Sequence, residues 1–265
     1  MTVIITGAAG TIGNALATAL TTEAIPLRLL DIRPHHHVPA SAQAQRVDLR
    51  DLTATIEATA GGSVVIHLAG ITEEAPFPEV CEHNILGTYH VLEAARRNHI
   101  PRVVLASSHH TIGFTPTDQQ VSTTSAIAPD SFYAVSKITG EALGSLYAHK
   151  HHLTVVAVRI GSVRPTPTEP RHSATWLSPR DGVTLLRAAA TQPLTQPFLI
   201  VYGTSDNPQR WWPREGWDQL GYHPTDRADD HPLPAPITDR WHGGTYATNP
   251  GPDPITGRHT DSTPT

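Results

Sequence analysis

A single cysteine, Cys81, in 265 residues leaves no partner for an intrachain disulfide and no thiolate set for a metal cluster. Positive charge is not in excess either: 19 Lys and Arg stand against 24 Asp and Glu, a net charge of −5. No basic field therefore draws the chain to nucleic acid or to an anionic membrane surface. The same balance sets a condition on any anionic small molecule, which would need a local cation to overcome the chain's own field. No run approaches the roughly eighteen apolar residues of a membrane span. The opening MTVIITGAAG reads as strand and turn rather than as a charged stretch leading a long apolar one. The expectation is a soluble cytoplasmic protein with neither nucleic-acid nor membrane partners. Internal repeats and a clean linker are also missing. NPGPDPITGRHTDSTPT (249–265) has no periodic apolar face and reads as a mobile tail.

What is present alternates. VIIT (3–6), PLRLLD (26–31), SVVIHLAG (63–70), PRVVLASS (101–108) and LTVVAVRIG (153–161) are short β-rich runs. Between them, 11–20, 51–60, 79–99 and 132–151 place apolar residues at helical spacing. A further helix is expected near 180–190 and a strand at FLIVYG (198–203). Continuous apolar strands alternating with helices imply a parallel sheet covered on both faces, and right-handed crossovers make it a doubly wound α/β fold of Rossmann type. The expected division is 1–162 for the nucleotide-binding part. Residues 163–265, where proline and tryptophan become frequent, form a small substrate-binding lobe and tail packed on the first part.

TGAAGTIG sets Gly7, Gly10 and Gly13 after a strand and at the start of a helix. Glycines there allow a tight turn and close approach of backbone to a pyrophosphate, which sits where helix N–H groups are unpaired. Asp31 ends the next strand and can bond adenosine ribose hydroxyls while repelling a 2′-phosphate. This context points to NAD, with Arg33 the one nearby residue able to attract a phosphate. Thr11, Ile12, Ile32, Leu49, Leu68, Ala69, Gly70, Tyr133, Lys137, Ile160 and Val163 complete the expected cofactor surface. Asp48 in VDLRD either touches adenine or serves as a charge at a helix N-terminus.

YAVSK places Tyr133 and Lys137 on one helical face. A neighbouring ammonium is expected to lower the phenol's pKa, and a phenolate can take an alcohol proton. Ser108, at a strand end, can hydrogen-bond the same oxygen. Arg171 is either the local cation that an anionic substrate requires or a surface arginine in a proline-rich loop. His109 and His110 at the end of VVLASSHH raise three roles: metal ligands, a base, or polar contacts to substrate. Neighbours on an extended strand end point to opposite sides, and no carboxylate or cysteine lies at ligand spacing, so no metal is expected. With Tyr133 and Lys137 available, polar contact is the favoured role. His35, His36 and His37 read as a solvated loop.

HLAGI, HNILGTYHVLEAAR and YAVSK occur in the order found in extended short-chain dehydrogenases/reductases. ASSHHTIGF, VRIGS, RHSATWLS, WW followed by LGYHPTD, and GGTYATNP carry a narrower resemblance, close to full length, to the uronate dehydrogenases. The resemblance implies NAD-dependent oxidation of a hexuronic acid at its anomeric carbon, giving an aldarolactone. It implies that Ser108, Tyr133 and Lys137 handle the reacting hydroxyl. Thr72, Ser108, His109, His110, Tyr133, Ser162 and Arg171 would line the sugar. His109 departs from the family's asparagine, and Thr72 from its common serine. Relatives also imply a homo-oligomer, and Asn84 corresponds to an asparagine that shapes the site. Competing expectations are a nucleotide-sugar epimerase or dehydratase, an aldose dehydrogenase, or a non-catalytic NAD-binding sensor.

Overall fold

The four-residue runs VIIT and VVIH are completely buried, which places them in the middle of a sheet. The computed structural model describes residues 1–35, 38–233 and 236–249. In it these runs are β1 (Val3–Thr6) and β4 (Val64–His67), and they pair with each other. The other strands are β2 (Leu27–Asp31), β3 (Ala42–Arg46), β5 (Arg102–Ser108), β6 (Thr154–Ile160), the short β7 (Ser162–Val163) and β8 (Trp176–Leu177), and β9 (Phe198–Gly203). The main sheet runs β3-β2-β1-β4-β5-β6-β9, with every neighbouring pair parallel. This is the doubly wound α/β architecture expected. Its strand order reverses between β1 and β4, so the carboxyl ends of those strands open a crevice where such sheets hold ligands.

Helices cover both faces. On one side α1 (Thr11–Thr22) and α7 (Pro179–Thr191) bury Leu16, Leu20, Leu185 and Leu186 against Ile5, Ile66 and Val156. On the other, α2 (Leu52–Thr59), α4 (Gly87–Arg97) and α5 (Phe132–His151) bury Val91, Leu92, Tyr147 and Ala148 against Ile4, Val65 and Val103. Ser131 caps α5 by accepting the Ala134 N–H, and Ser178 caps α7 with Pro179 following it. The main-sheet strand not among the β-rich runs of the sequence is β3. Its AQAQR is polar and largely exposed, as suits an edge strand and not a buried one.

The helix expected over 79–99 is not continuous. Short α3 (Phe77–Val80) passes into a wide π-turn, Cys81–Leu86, before α4 begins. Asn84 lies in that turn with its side chain buried and bonded inward, and such turns recur at functional sites. Beyond residue 162 the chain is not detached from the sheet: after β7, α6 (His172–Thr175), β8 and α7, it returns β9 beside β6. Trp176, Trp212 and Trp217 are buried there as packing. A last segment bridges Trp241 to Pro116 and brings residues 242–248 over the carboxyl end of the sheet. His36, His37 and most of the expected mobile tail lie outside the described residues. Among the described residues, no helix is long and apolar enough to cross a membrane.

Candidate active site

The turn after β1 is built for close contact. Gly7 has φ +68°, and a Cβ there would lie 2.6 Å from the Ala69 nitrogen; one on Gly13 would lie 2.5 Å from the Gly7 oxygen. No side chain caps α1 at Gly10, so its first N–H groups point into the crevice without a side-chain partner. Leu68, Ala69 and Gly70 form the opposite wall after β4. Asp31 is buried at the end of β2, where its carboxylate accepts the Ala9 N–H and the Arg33 N–H, each at 2.9 Å. Arg33 extends into solvent beside Gly10, and Ile32 is exposed.

Asp48 is gripped by Arg50 at 2.7 Å, which holds its carboxyl below the ordinary value. It does not cap α2, because Asp51 does so by accepting the Ala54 N–H. Leu49 packs on the core, and its carbonyl accepts the His90 Nδ1–H. At the other end of the crevice Thr11, Ile12, Ile160 and Val163 line an apolar cavity together with Leu177 and Leu186. Free helix donors, a buried carboxylate and an apolar slot in one crevice fit the pyrophosphate, ribose and nicotinamide of a dinucleotide.

Ser108 ends β5, and Tyr133 and Lys137 stand on the first turns of α5, with Lys137 Nζ 5.4 Å from the centre of the Tyr133 ring. Burial pushes the Tyr133 phenol up to about 12 against the pull of its hydrogen bond with Ser108. It also pushes the Lys137 ammonium down to about 8. The expected lowering of the phenol by Lys137 is not what dominates in the chain alone: desolvation of a phenolate raises it, and Ser108 is the group that opposes the rise.

The two histidines are likewise placed differently from the expectation. Residues His109–Ile112 form a 3₁₀ turn capped by Ser108, whose Oγ accepts the His110 N–H. The turn puts the two rings 4.1 Å apart rather than on opposite sides. His110 donates through Nδ1 to the fully buried side chain of Asp130 at 2.7 Å and stands edge-on to Tyr133. His109 bonds the Ile160 carbonyl at 3.0 Å. A carbonyl only accepts, so Nδ1 carries the proton and Nε2 is a bare lone pair, buried and without a partner. Burial and the neighbouring His110 hold His109 well below the usual histidine value, and it is neutral. Among the described residues no three metal-ligating side chains converge.

Arg171 is no surface residue. Its Nη2 donates to the His242 carbonyl at 2.7 Å, and its Nε is buried without a partner. The backbone of Gly244 lies so close that a Cβ there would sit 2.6 Å from Cζ. Burial is the main cause lowering its pKa. Ser162 shares a 2.9 Å hydrogen bond with Thr175 at the same end of the sheet. Thr72 is exposed, and its carbonyl accepts the Tyr246 hydroxyl at 2.9 Å. The Tyr246 ring lies 4.4 Å from that of His110, tilted against it.

Asp130, His242 and Tyr246 were not among the residues the sequence singled out. GGTYATNP marked the last of them by likeness without giving it a role, and no local pattern marks the other two. Asn84 ties the wall to α5, since it accepts the Ile71 N–H and donates to the Ile71 carbonyl and to Ser136. Underneath, Glu141 joins Ser107 to Arg159, and Arg159 also bonds Tyr202, which fixes the floor.

A family model described as the NAD dependent epimerase/dehydratase family matches residues 3–177. The uronate dehydrogenase of Pseudomonas putida is 38% identical over 256 residues, which is 92% of this chain and 94% of that protein. The crystal structure of glucuronic acid dehydrogenase from Chromohalobacter salexigens superposes with a TM-score of 0.86 at 35% identity, covering 93% of this chain and 96% of its own. A mutant uronate dehydrogenase from Agrobacterium tumefaciens, complexed with NAD, gives 0.87 at 35% identity over 94% of this chain and 97% of its own. With the nucleotide turn, the Ser108–Tyr133–Lys137 site and these full-length likenesses together, the chain belongs to the NAD dependent epimerase/dehydratase family, as an NAD-dependent dehydrogenase homologous to the uronate dehydrogenases.

Proposed function

We propose that the protein oxidises a hexuronic acid, glucuronate or galacturonate, at C1 to the aldarolactone. The observation that carries this reading is Arg171: a half-buried arginine whose Nε is sealed from solvent and unpartnered, in a chain of net charge −5, with its charge felt at His109. A planar cation in that position suits a carboxylate.

Tyr133 takes the proton of the C1 hydroxyl as general base, and Ser108 donates a hydrogen bond to the same oxygen. Lys137 keeps a positive charge near the phenol. NAD, when bound along Gly7–Gly13 and Asp31, supplies the hydride acceptor and a ring charge that favours the phenolate. Arg171 anchors the C6 carboxylate at the far end of the sugar. Neutral His109 offers only a lone pair at Nε2, so it accepts a hydrogen bond from a sugar hydroxyl, where an asparagine amide would also be able to donate. Asp130 fixes the His110 ring, and Ser162 and Thr72 border the cleft. Leu86, Tyr89 and Leu146 are exposed on the π-turn, α4 and α5, which supports a homo-oligomer paired through these helices.

The test is NADH formation by the purified protein with glucuronate, galacturonate and the corresponding neutral hexoses. The reading expects turnover of an acid, loss of turnover in Tyr133→Phe, and a raised KM for the acid alone in Arg171→Gln. Turnover of hexoses with none of the acids would mark an aldose dehydrogenase. Nucleotide-sugar conversion without net NADH would mark an epimerase.

A further inference from the structure

We propose that His242 is a second donor to the substrate carboxylate: its Nε2–H and the Nε–H of Arg171 together receive the anionic end of the sugar. This rests on the hexuronate reading above. His242 is fully buried, with its ring stacked 5.0 Å from that of Trp211. The Trp212 indole N–H reaches its Nδ1 at 3.2 Å. An indole nitrogen only donates, so Nδ1 is the lone pair and Nε2 carries the hydrogen. Among the described residues that hydrogen has no acceptor, and the atom is sealed from solvent.

The ring is a neutral donor. Burial, and then the charge of Arg171, hold it at about 4. Arg171 has the same deficit at Nε, and its Nη2 is fastened to the carbonyl of His242 itself. The two unused donors are thus carried by one short connection. A buried polar hydrogen without a partner is costly and rare, and two on residues joined by the Arg171–His242 hydrogen bond call for a ligand that brings acceptors. A carboxylate presents two acceptor oxygens and no hydrogen, which matches. A neutral hydroxymethyl group presents one oxygen and a hydrogen of its own, which does not. The lone pair at His109 Nε2 has the opposite polarity and is suited to a hydroxyl near that carboxylate.

Two isosteric variants separate the donor from the packing. His242→Asn keeps an oxygen for the Trp212 N–H but places nothing at Nε2, whereas His242→Gln returns an N–H there. Calorimetric titration of the NADH-loaded protein with hexuronate and with neutral hexose reads binding without turnover. Loss of a hydrogen bond to a charged group predicts hexuronate affinity weakened roughly tenfold or more in the Asn variant. The Gln variant is expected within about threefold of the parent protein, with hexose and NADH binding unchanged in both. Equal affinity of all three proteins for hexuronate overturns the proposal. So does equal weakening towards acid and hexose, which would mark a structural residue. A parent protein that binds no hexuronate instead overturns the functional reading on which the proposal depends.

Discussion

Acid should weaken this fold as soon as the pH falls below the ordinary histidine value of about 6.5. His67 is buried between two threonines: Thr6 Oγ1 lies 2.7 Å from Nδ1, and Thr88 Oγ1 lies 3.1 Å from Nε2. Burial, and then the charge of Lys137, pull its pKa down to about 3. His242 is held at about 4, and His109 and His172 are lowered in the same direction, chiefly by burial. In the unfolded chain these rings protonate near the ordinary value of 6.5. The unfolded state therefore binds more protons than the folded state as pH falls below about 6.5, and stability declines with it. At pH 5.5 each fully shifted ring costs about 1.4 kcal/mol. His67 and His242 together cost about 3 kcal/mol, and His109 and His172 add to the loss.

The window from pH 7.5 to 5.5 isolates the histidines. The lowered carboxylates Glu93 and Asp48 respond further down, and Lys137 responds near 8. Urea unfolding at the two pH values measures the loss directly. His67→Gln, which is polar but does not titrate, should reduce the difference by about 1.4 kcal/mol while lowering stability at both pH values. A stability that stays flat across the window, or a Gln variant with the full loss, would refute the assignment of buried neutral rings.

Other consequences are equally direct. Gly7→Ala forces a side chain into a positive-φ position against Ala69; it should cost about 1–3 kcal/mol of stability and more in NAD affinity, read by unfolding and by NADH fluorescence titration. Asn84→Ala removes hydrogen bonds to Ile71 and Ser136, and should destabilise by about 2–3 kcal/mol and lower kcat more than NAD affinity. With Tyr133 at about 12 and Lys137 at about 8 in the free protein, the fraction holding both phenolate and ammonium rises with pH and levels above about 8. The kcat/KM profile should follow that shape, and Lys137→Met should lose the break.

The sequence revealed most of the sheet because its inner strands are written in Val, Ile and Leu, and it revealed the nucleotide turn because glycines there have no substitutes. It hid β3, whose AQAQR faces water at the sheet edge, and it hid the π-turn, since one widened turn leaves helical periodicity almost intact. The relation of His109 to His110 departs from the expectation because the chain does not stay extended past the strand end but coils into a 3₁₀ turn. Asp130, His242 and Tyr246 escaped for a different reason. They reach the site through tertiary contacts at sequence separations of 20, 71 and 174 residues, and no local pattern encodes such contacts. The raised phenol was also beyond reach, since burial is a property of the folded chain.

The most direct test of C1 oxidation with Tyr133 as the base is to follow the hydrogen itself. Glucuronate or galacturonate deuterated at C1 is turned over with NAD, and the reduced cofactor is weighed by mass spectrometry beside Tyr133→Phe. The account predicts one deuterium in every NADH formed, a slowed reaction relative to the unlabelled acid, and no labelled NADH from the variant. NADH without deuterium, or deuterium retained on the sugar after conversion, would contradict it and place the chemistry at another carbon.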